Sequence, residues 1–194
     1  MHIVVGSDKL TCPYDTGSHA ATLLETKLFL NSVISDFDKS ARFMALDLKD
    51  HYLASPMKTP EYMKTPLKYI PPDIINKYNL QSKFHNGYIY CDINKGMYGL
   101  KQAALLAYNF LVKNLLPYGY YPIPHTIRIW KHKSRPITFC LCVDNFGVKY
   151  FHKQEVDYLI QALQQNYKLS IDWEGKHYCR FNLQWNYKTI MLMS

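Results

Sequence analysis

The sequence predicts an α+β fold: a mostly antiparallel sheet with helices on one face, in a split β-α-β arrangement. Three observations predict it. Apolar runs at 42–48, 137–143 and 146–151 read as strands. Segments beginning near residues 100 and 153 carry apolar residues at helical spacing. Along the chain these alternate as strand, long excursion, helix, strand, strand, helix, strand. With 194 residues the chain can enclose a real core, and no composition break marks a linker, so 1–194 reads as a single domain.

In chain order, "GSHAATLLETKLFLNSVISDF" predicts a helix capped by Ser18 and running to Ser35. Ala20, Leu24 and Leu28 form one row and Leu23, Leu30 and Ile34 another, while Phe29 and Val33 widen the apolar face. In "ARFMALDLKDHYL", Phe43, Ala45 and Asp47 share one face of a strand, and Met44, Leu46 and Leu48 the other. Such continuous apolarity marks a central strand covered on both sides. Residues 56–80 are expected to be irregular, because five of the ten prolines lie there and Met-Lys-Thr-Pro occurs at both 57–60 and 63–66. The excursion ends in a short strand, "YIYCDI". "GMYGLKQAALLAYNFLVKNLLPYG" opens with a turn flanked by Gly96 and Gly99. It continues as a helix striped by Ala104, Leu105, Tyr108, Leu111, Val112 and Leu115, and Pro117 with Gly119 ends it. "ITFCLCV" and "FGVKYF" are two strands around a turn at Asp144-Asn145. Val156, Leu159, Ile160, Leu163 and Tyr167 define the next helix, and "HYCRFNLQW" alternates as a last strand.

Apolar residues make up 48% and charged residues 20%, an ordinary globular balance. No apolar run approaches the roughly 20 residues that span a bilayer, and "MHIVVGSDKL" lacks the pattern of a signal peptide. An intracellular, non-secreted protein is expected, with no membrane partner. Five cysteines, an odd number without any C-x-x-C, argue for free thiols over a disulfide framework or zinc site. The net charge of +8 suits a polyanionic partner such as nucleic acid, although 19 of the 23 cations are lysines spread along the whole chain.

Asp47 on a central strand and Asp144 at a hairpin tip are the residues that suggest chemistry. If their strands are neighbours, the carboxylates meet at one sheet edge, as in sites that hold two divalent metals about 4 Å apart for in-line phosphoryl transfer. Mg²⁺ needs only one or two carboxylates beside substrate phosphates. Asp144 alone also suits an ordinary turn, but a buried carboxylate within an apolar strand is costly unless it is used.

Three stretches in order, "FMALDLKDHYLASPM", "KGMYGLKQA" and "LCVDNFGVKYF", resemble motifs of retrotransposon reverse transcriptases, most closely the copia-like type, and "DWEGKHYCRFNLQW" resembles their primer-gripping hairpin. The resemblance implies a polymerase palm with partial fingers: 1–40 partial fingers and helix, 41–170 palm with an insertion at 56–90, and 171–194 the primer-grip-like hairpin. It implies an RNA-directed DNA polymerase that uses Mg²⁺ or Mn²⁺, two ions if active, with RNA or DNA template-primer and deoxynucleotide triphosphates as partners. Asp47 and Asp144 would be the metal ligands and, with Asn145, the catalytic set, and the Leu48 carbonyl would add an oxygen. Tyr52 would back the sugar, Gln102 would contact the template-nucleotide pair, and Tyr178, Cys179, Arg180 and Phe181 would lie at the primer end.

Several residues depart from the family. Asn145 stands where it has a second acid, Arg180 where its grip hairpin has Gly, and His51, beside the expected triphosphate, where it has a small or aromatic residue. The chain also begins partway through the expected fingers and stops before a full thumb. Three readings follow: an impaired polymerase palm, a catalytically dead relic that at most binds nucleic acid, and an unrelated RNA-recognition-like sheet. The third wants stacking aromatics on adjacent central strands, and "RFMALDL" supplies only Phe43.

Overall fold

A computed structural model describes residues 20–187. One six-stranded antiparallel sheet organises them, in the order β4-β5-β6-β7-β1-β8. Its strands are β1 (Arg42–Lys49), β4 (Tyr120–Ile123), β5 (Thr126–His132), β6 (Ile137–Cys142), β7 (Asn145–Tyr150) and β8 (Lys168–Asp172). A separate two-stranded ribbon pairs β2 (Pro56–Pro66) with β3 (Tyr88–Lys95), and a small hairpin pairs β9 (His177–Tyr178) with β10 (Phe181–Asn182). The helices are α1 (Leu23–Ser35), α2 (Pro72–Lys77), α3 (Ala103–Leu115) and α4 (Lys153–Gln164). The predicted α+β class holds. Elements β1-α3-β6 and β7-α4-β8 interleave so that β7 and β1 lie side by side, which is the split β-α-β arrangement.

The predicted alternation of β1 explains the layers. Met44, Leu46 and Leu48 face α3 and α4, where Leu111, Leu115, Val156, Leu159 and Leu163 close over Phe139, Phe146 and Trp130. Phe43 and Ala45 face the other way, into a second cluster with Phe29, Val33, Cys140 and Tyr178. Helices therefore cover both faces, not one: α1 and the β9–β10 hairpin share the second side.

The predicted α4 stripe is buried at every position, and the α3 stripe is buried at Tyr108, Leu111 and Leu115. α1 differs from expectation. Its cap is Thr22, which forms a reciprocal capping box with Glu25, and Ser18 lies outside the described residues. Leu23, Leu24, Leu28 and Ile34 of those rows are exposed, Leu30 is partly buried, and Thr26, Phe29 and Val33 are buried. Lys149 of β7 fastens this helix, its Nζ donating to the Ser32 carbonyl at 2.6 Å and to Asp36 at 2.5 Å. The Lys149 bond to Asp36, and then the one from Lys39, hold the Asp36 carboxyl down to about 2.

Three further corrections concern strands. The proline-rich stretch is strand β2, with a register shift between Pro56 and Glu61; proline is tolerated in a ribbon at strand starts, edges and bulges. The strand that completes the main sheet is β8, and "HYCRFNLQW" folds back as a hairpin. β4 and β5 extend the sheet beyond β6, where no strand is predicted from sequence. Among the described residues no helix is long and apolar enough to cross a membrane.

Candidate active site

β1 and β7 pair from Arg42↔Tyr150 to Asp47↔Asn145. Cys142 pairs with Asn145 across the β6–β7 hairpin, so the two-residue turn is Val143-Asp144, one position earlier than expected. Asn145 is a strand residue opposite Asp47. Of the two turn residues only Val143 has positive φ, at 62°. That is the pattern of a II′ turn, which favours Gly at its first central position. A β-branched side chain there is strained by about 1–3 kcal/mol. The turn carries Asp144 back over the end of β1, where its carbonyl accepts the Leu48 N–H at 2.9 Å. Two acids 97 positions apart in sequence thus meet at one sheet edge.

Burial, and then the charge of Asp144, push the Asp47 carboxyl above its ordinary value, against a weaker pull from Lys49. Neither acid has an ion-pair partner among the described residues. Asp144 is held by neutral donors: the Asn145 amide donates to Oδ1 at 3.0 Å, and the Tyr98 hydroxyl to Oδ2 at 3.3 Å. Tyr98 is raised to about 12, by burial first and Asp144 second, so it keeps its proton. No group of three or more His, Cys, Asp or Glu side chains that could hold a metal occurs among the described residues. The donor set fits Mg²⁺ in the restricted sense that two carboxylates suffice when substrate phosphates complete the shell.

The "KGMYGLKQA" loop buttresses this edge. The edge of the Tyr52 ring meets Tyr98, centroids 4.5 Å apart, aligning Tyr52, Tyr98 and Asp144. Gly96 makes the approach possible, since a Cβ there would lie 2.6 Å from the Tyr52 carbonyl oxygen and the Ser55 Oγ. Sequence reasoning missed Tyr98, although it lies within the quoted motif. A pocket lined by Tyr52, Ala104, Tyr108, Leu141 and Val143 opens behind the turn.

Other expected site residues fall differently. His51 is 3% exposed, its ring beside Tyr52 and Tyr167, and its Nδ1 has no hydrogen-bond partner among the described residues. Burial, opposed by the charge of Asp144, pulls it down to about 4, so its ring is neutral at pH 7. The Gln102 amide donates to Glu61 of β2 at 2.9 Å and ties α3 to the ribbon. Leu48 is buried, with its N–H already bound to Asp144.

In the β9–β10 hairpin, Tyr178 is 1% exposed and its hydroxyl donates to the Cys140 carbonyl at 2.7 Å. Phe181 pairs with Tyr178 and is half-buried. Cys179 and Arg180 form the turn, at φ 47° and 68°, so Arg180 does occupy a position that favours Gly. The hairpin tip reaches the β6–β7 tip: a hydrogen bond from the Cys179 thiol holds Cys142 below the ordinary thiol range, assisted by the charge of Arg180. Asp172, unnoticed in the sequence, sets this geometry by accepting the N–H groups of Glu174, Gly175, Lys176 and His177.

Compared with known protein families and with curated proteins, the chain matches none.

Proposed function

We propose that the chain is a reverse-transcriptase palm of the copia-like retroelement type, with a nucleotidyl-transfer site crippled by Asn145. The observation that carries this reading is the convergence of Asp47 and Asp144, from separate strands, at one edge of a split β-α-β sheet. Asp47 and Asp144, with the Leu48 carbonyl, would hold Mg²⁺ or Mn²⁺, and the bound ions would supply charge to the transferring phosphoryl group. Tyr98 fixes the orientation of Asp144, and its ring packs against Tyr52. Asn145 contributes no charge and turns its amide donor toward Asp144. Loss of a single well-placed group in transition-state electrostatics costs roughly 10²–10³ in rate.

Two hydrogen bonds favour a second reading, a dead relic that at most binds nucleic acid. The Asn145 and Gln102 amides are both taken by acids of the chain, Asp144 and Glu61. Primer extension on an RNA template with Mg²⁺ or Mn²⁺ separates the two. The expected result is weak or undetectable extension by the parent, a gain of about 10²-fold or more in Asn145→Asp, and none in Asp144→Ala. Extension by the parent equal to that of Asn145→Asp would remove the crippling role of Asn145. Extension by neither would leave the relic reading.

A further inference from the structure

The β2–β3 ribbon has two unlike faces. Opposite residues in an antiparallel pair share a face, so the register Tyr62↔Asp92, Lys64↔Tyr90, Pro66↔Tyr88 puts all six on one side. The other side carries Met63, Ile89 and Ile93, which turn inward; Met63 and Ile93 pack in a cluster with Leu100, Ala103 and Met97. The outward face keeps its rings in solvent: Tyr62 is 78% exposed and Tyr90 58%. Among the described residues neither ring stacks on another ring or lies under a cation. Tyr62 and Tyr90 are diagonal cross-strand neighbours, about 7–8 Å apart at the backbone, which leaves each ring room for its own base. Lys64 stands directly opposite Tyr90 and two residues from Tyr62, its Nζ 3.9 Å from the centre of the Tyr88 ring.

The surroundings favour an anion. Residues 56–95 contain six lysines against three acids. Lys68 over Tyr69 and Lys77 over Tyr78 repeat the pairing of ammonium with exposed ring, at 5.0 and 5.4 Å. Asp92 is the single acid on the ribbon's outward face. Exposed tyrosines with interleaved lysines on an extended surface are what a single-stranded nucleic acid needs: rings to stack bases and cations to track phosphates.

We infer that the outward face of the β2–β3 ribbon, through Tyr62, Lys64 and Tyr90, is a stacking platform for single-stranded RNA or DNA. This deepens the palm reading, in which the occupant would be unpaired template, but it is tested without polymerase activity.

The test is fluorescence anisotropy with labelled oligouridine and oligothymidine against their duplexes, using the full chain. Tyr62→Ile and Tyr90→Ile keep β propensity and remove the ring; both sites are exposed, so the fold is unaffected. Each should weaken single-strand binding about 5-fold or more, and the pair about 25-fold, while Tyr62→Phe and Tyr90→Phe bind like the parent. Lys64→Gln should flatten the salt dependence by about 0.7 in log-log slope. Tyrosine-dependent binding without primer extension by any variant would sustain the platform and sink the polymerase reading. Extension with unchanged binding by the double Ile variant would do the reverse. The inference is also overturned if the parent binds no oligonucleotide, if duplex binds equally and the Ile variants do not differ, or if the tyrosines act only on phosphatidylserine vesicles or a protein partner.

Discussion

Two hairpins meet beside Asp144, and both turn on residues poorly suited to the backbone they adopt. The β6–β7 hairpin joins six-residue strands flanked by β5 and β1 and covered on both faces. The β9–β10 hairpin joins two-residue strands with no other strand partner among the described residues. In the first, only Val143 has positive φ; in the second, both Cys179 and Arg180 do, the I′ pattern for which Asn-Gly is preferred. Each such residue costs about 1–3 kcal/mol and persists only where its surroundings over-determine it. A long ladder on both sides holds Val143 in place. The second turn depends on docking, chiefly of one buried ring, Tyr178. Similar local strain thus has two supports, a sheet in one hairpin and a side chain in the other.

The largest expected effect comes from removing the weaker support. Tyr178→Ala deletes a buried ring and its hydroxyl bond to Cys140, and should cost about 3–5 kcal/mol in denaturant unfolding. Gly147→Ala attacks the same contact from the sheet, because its Cβ would lie 2.7 Å from Tyr178 Cζ and 3.0 Å from Phe43 Cε2. Its cost should be about 1–3 kcal/mol. If Tyr178→Ala costs under about 1 kcal/mol, the ring is not what holds the second hairpin.

How much of this could be read from sequence follows the same division between sheet and docking. The two-faced pattern of β1 is written in consecutive residues, so its layers and the meeting of Asp47 with Asp144 were legible. So was α4, whose apolar residues keep strict helical spacing. β8 was not: "KLSID" has two apolar residues in five and lies at a sheet edge, where burial does not impose a pattern. β2 hid behind its prolines for the same reason. On α1, contact with Phe43 and Cys140 selects Phe29 and Val33 over the more numerous leucines, a choice made by the sheet and absent from the helix's own composition. Asp-Asn is good turn chemistry, yet pairing with Asp47 and Cys142 makes Asn145 a strand residue and leaves the turn to Val143. Nothing in Cys-Arg announces a I′ turn, so the alternation of 177–185 read as one strand.

Relieving strain should give a smaller effect of opposite sign. Arg180 is exposed, so Arg180→Gly loses little packing and should stabilise the chain by about 1 kcal/mol after the added freedom of the unfolded chain is deducted. Val143→Gly relieves similar strain but gives up contacts in the pocket it shares with Tyr52 and Leu141, so its gain in denaturant midpoint should be the smaller one. Equal gains would mean that the Val143 side chain contributes nothing to the pocket. A loss at Arg180 would mean that the positive φ there carries no strain.

The smallest effect is also the most direct report of contact between the two tips. Cys142 is held below the ordinary thiol range by the hydrogen bond from Cys179 first, with Arg180 assisting, while burial and Asp144 oppose. Its thiolate should therefore form, and react with iodoacetamide, at lower pH than an ordinary thiol does. Cys179→Ala removes the donor and should move the midpoint of the alkylation profile upward. Arg180→Gly should move it the same way by less, since its charge is the lesser contribution. The site of modification is read by peptide mapping, because Cys140 is buried and its thiol is pushed up to about 11. A Cys142 midpoint indifferent to Cys179→Ala would mean that the tips do not touch in solution. The second hairpin would then be held by Tyr178 and by the turn that Asp172 organises, without the link to the Asp144 tip.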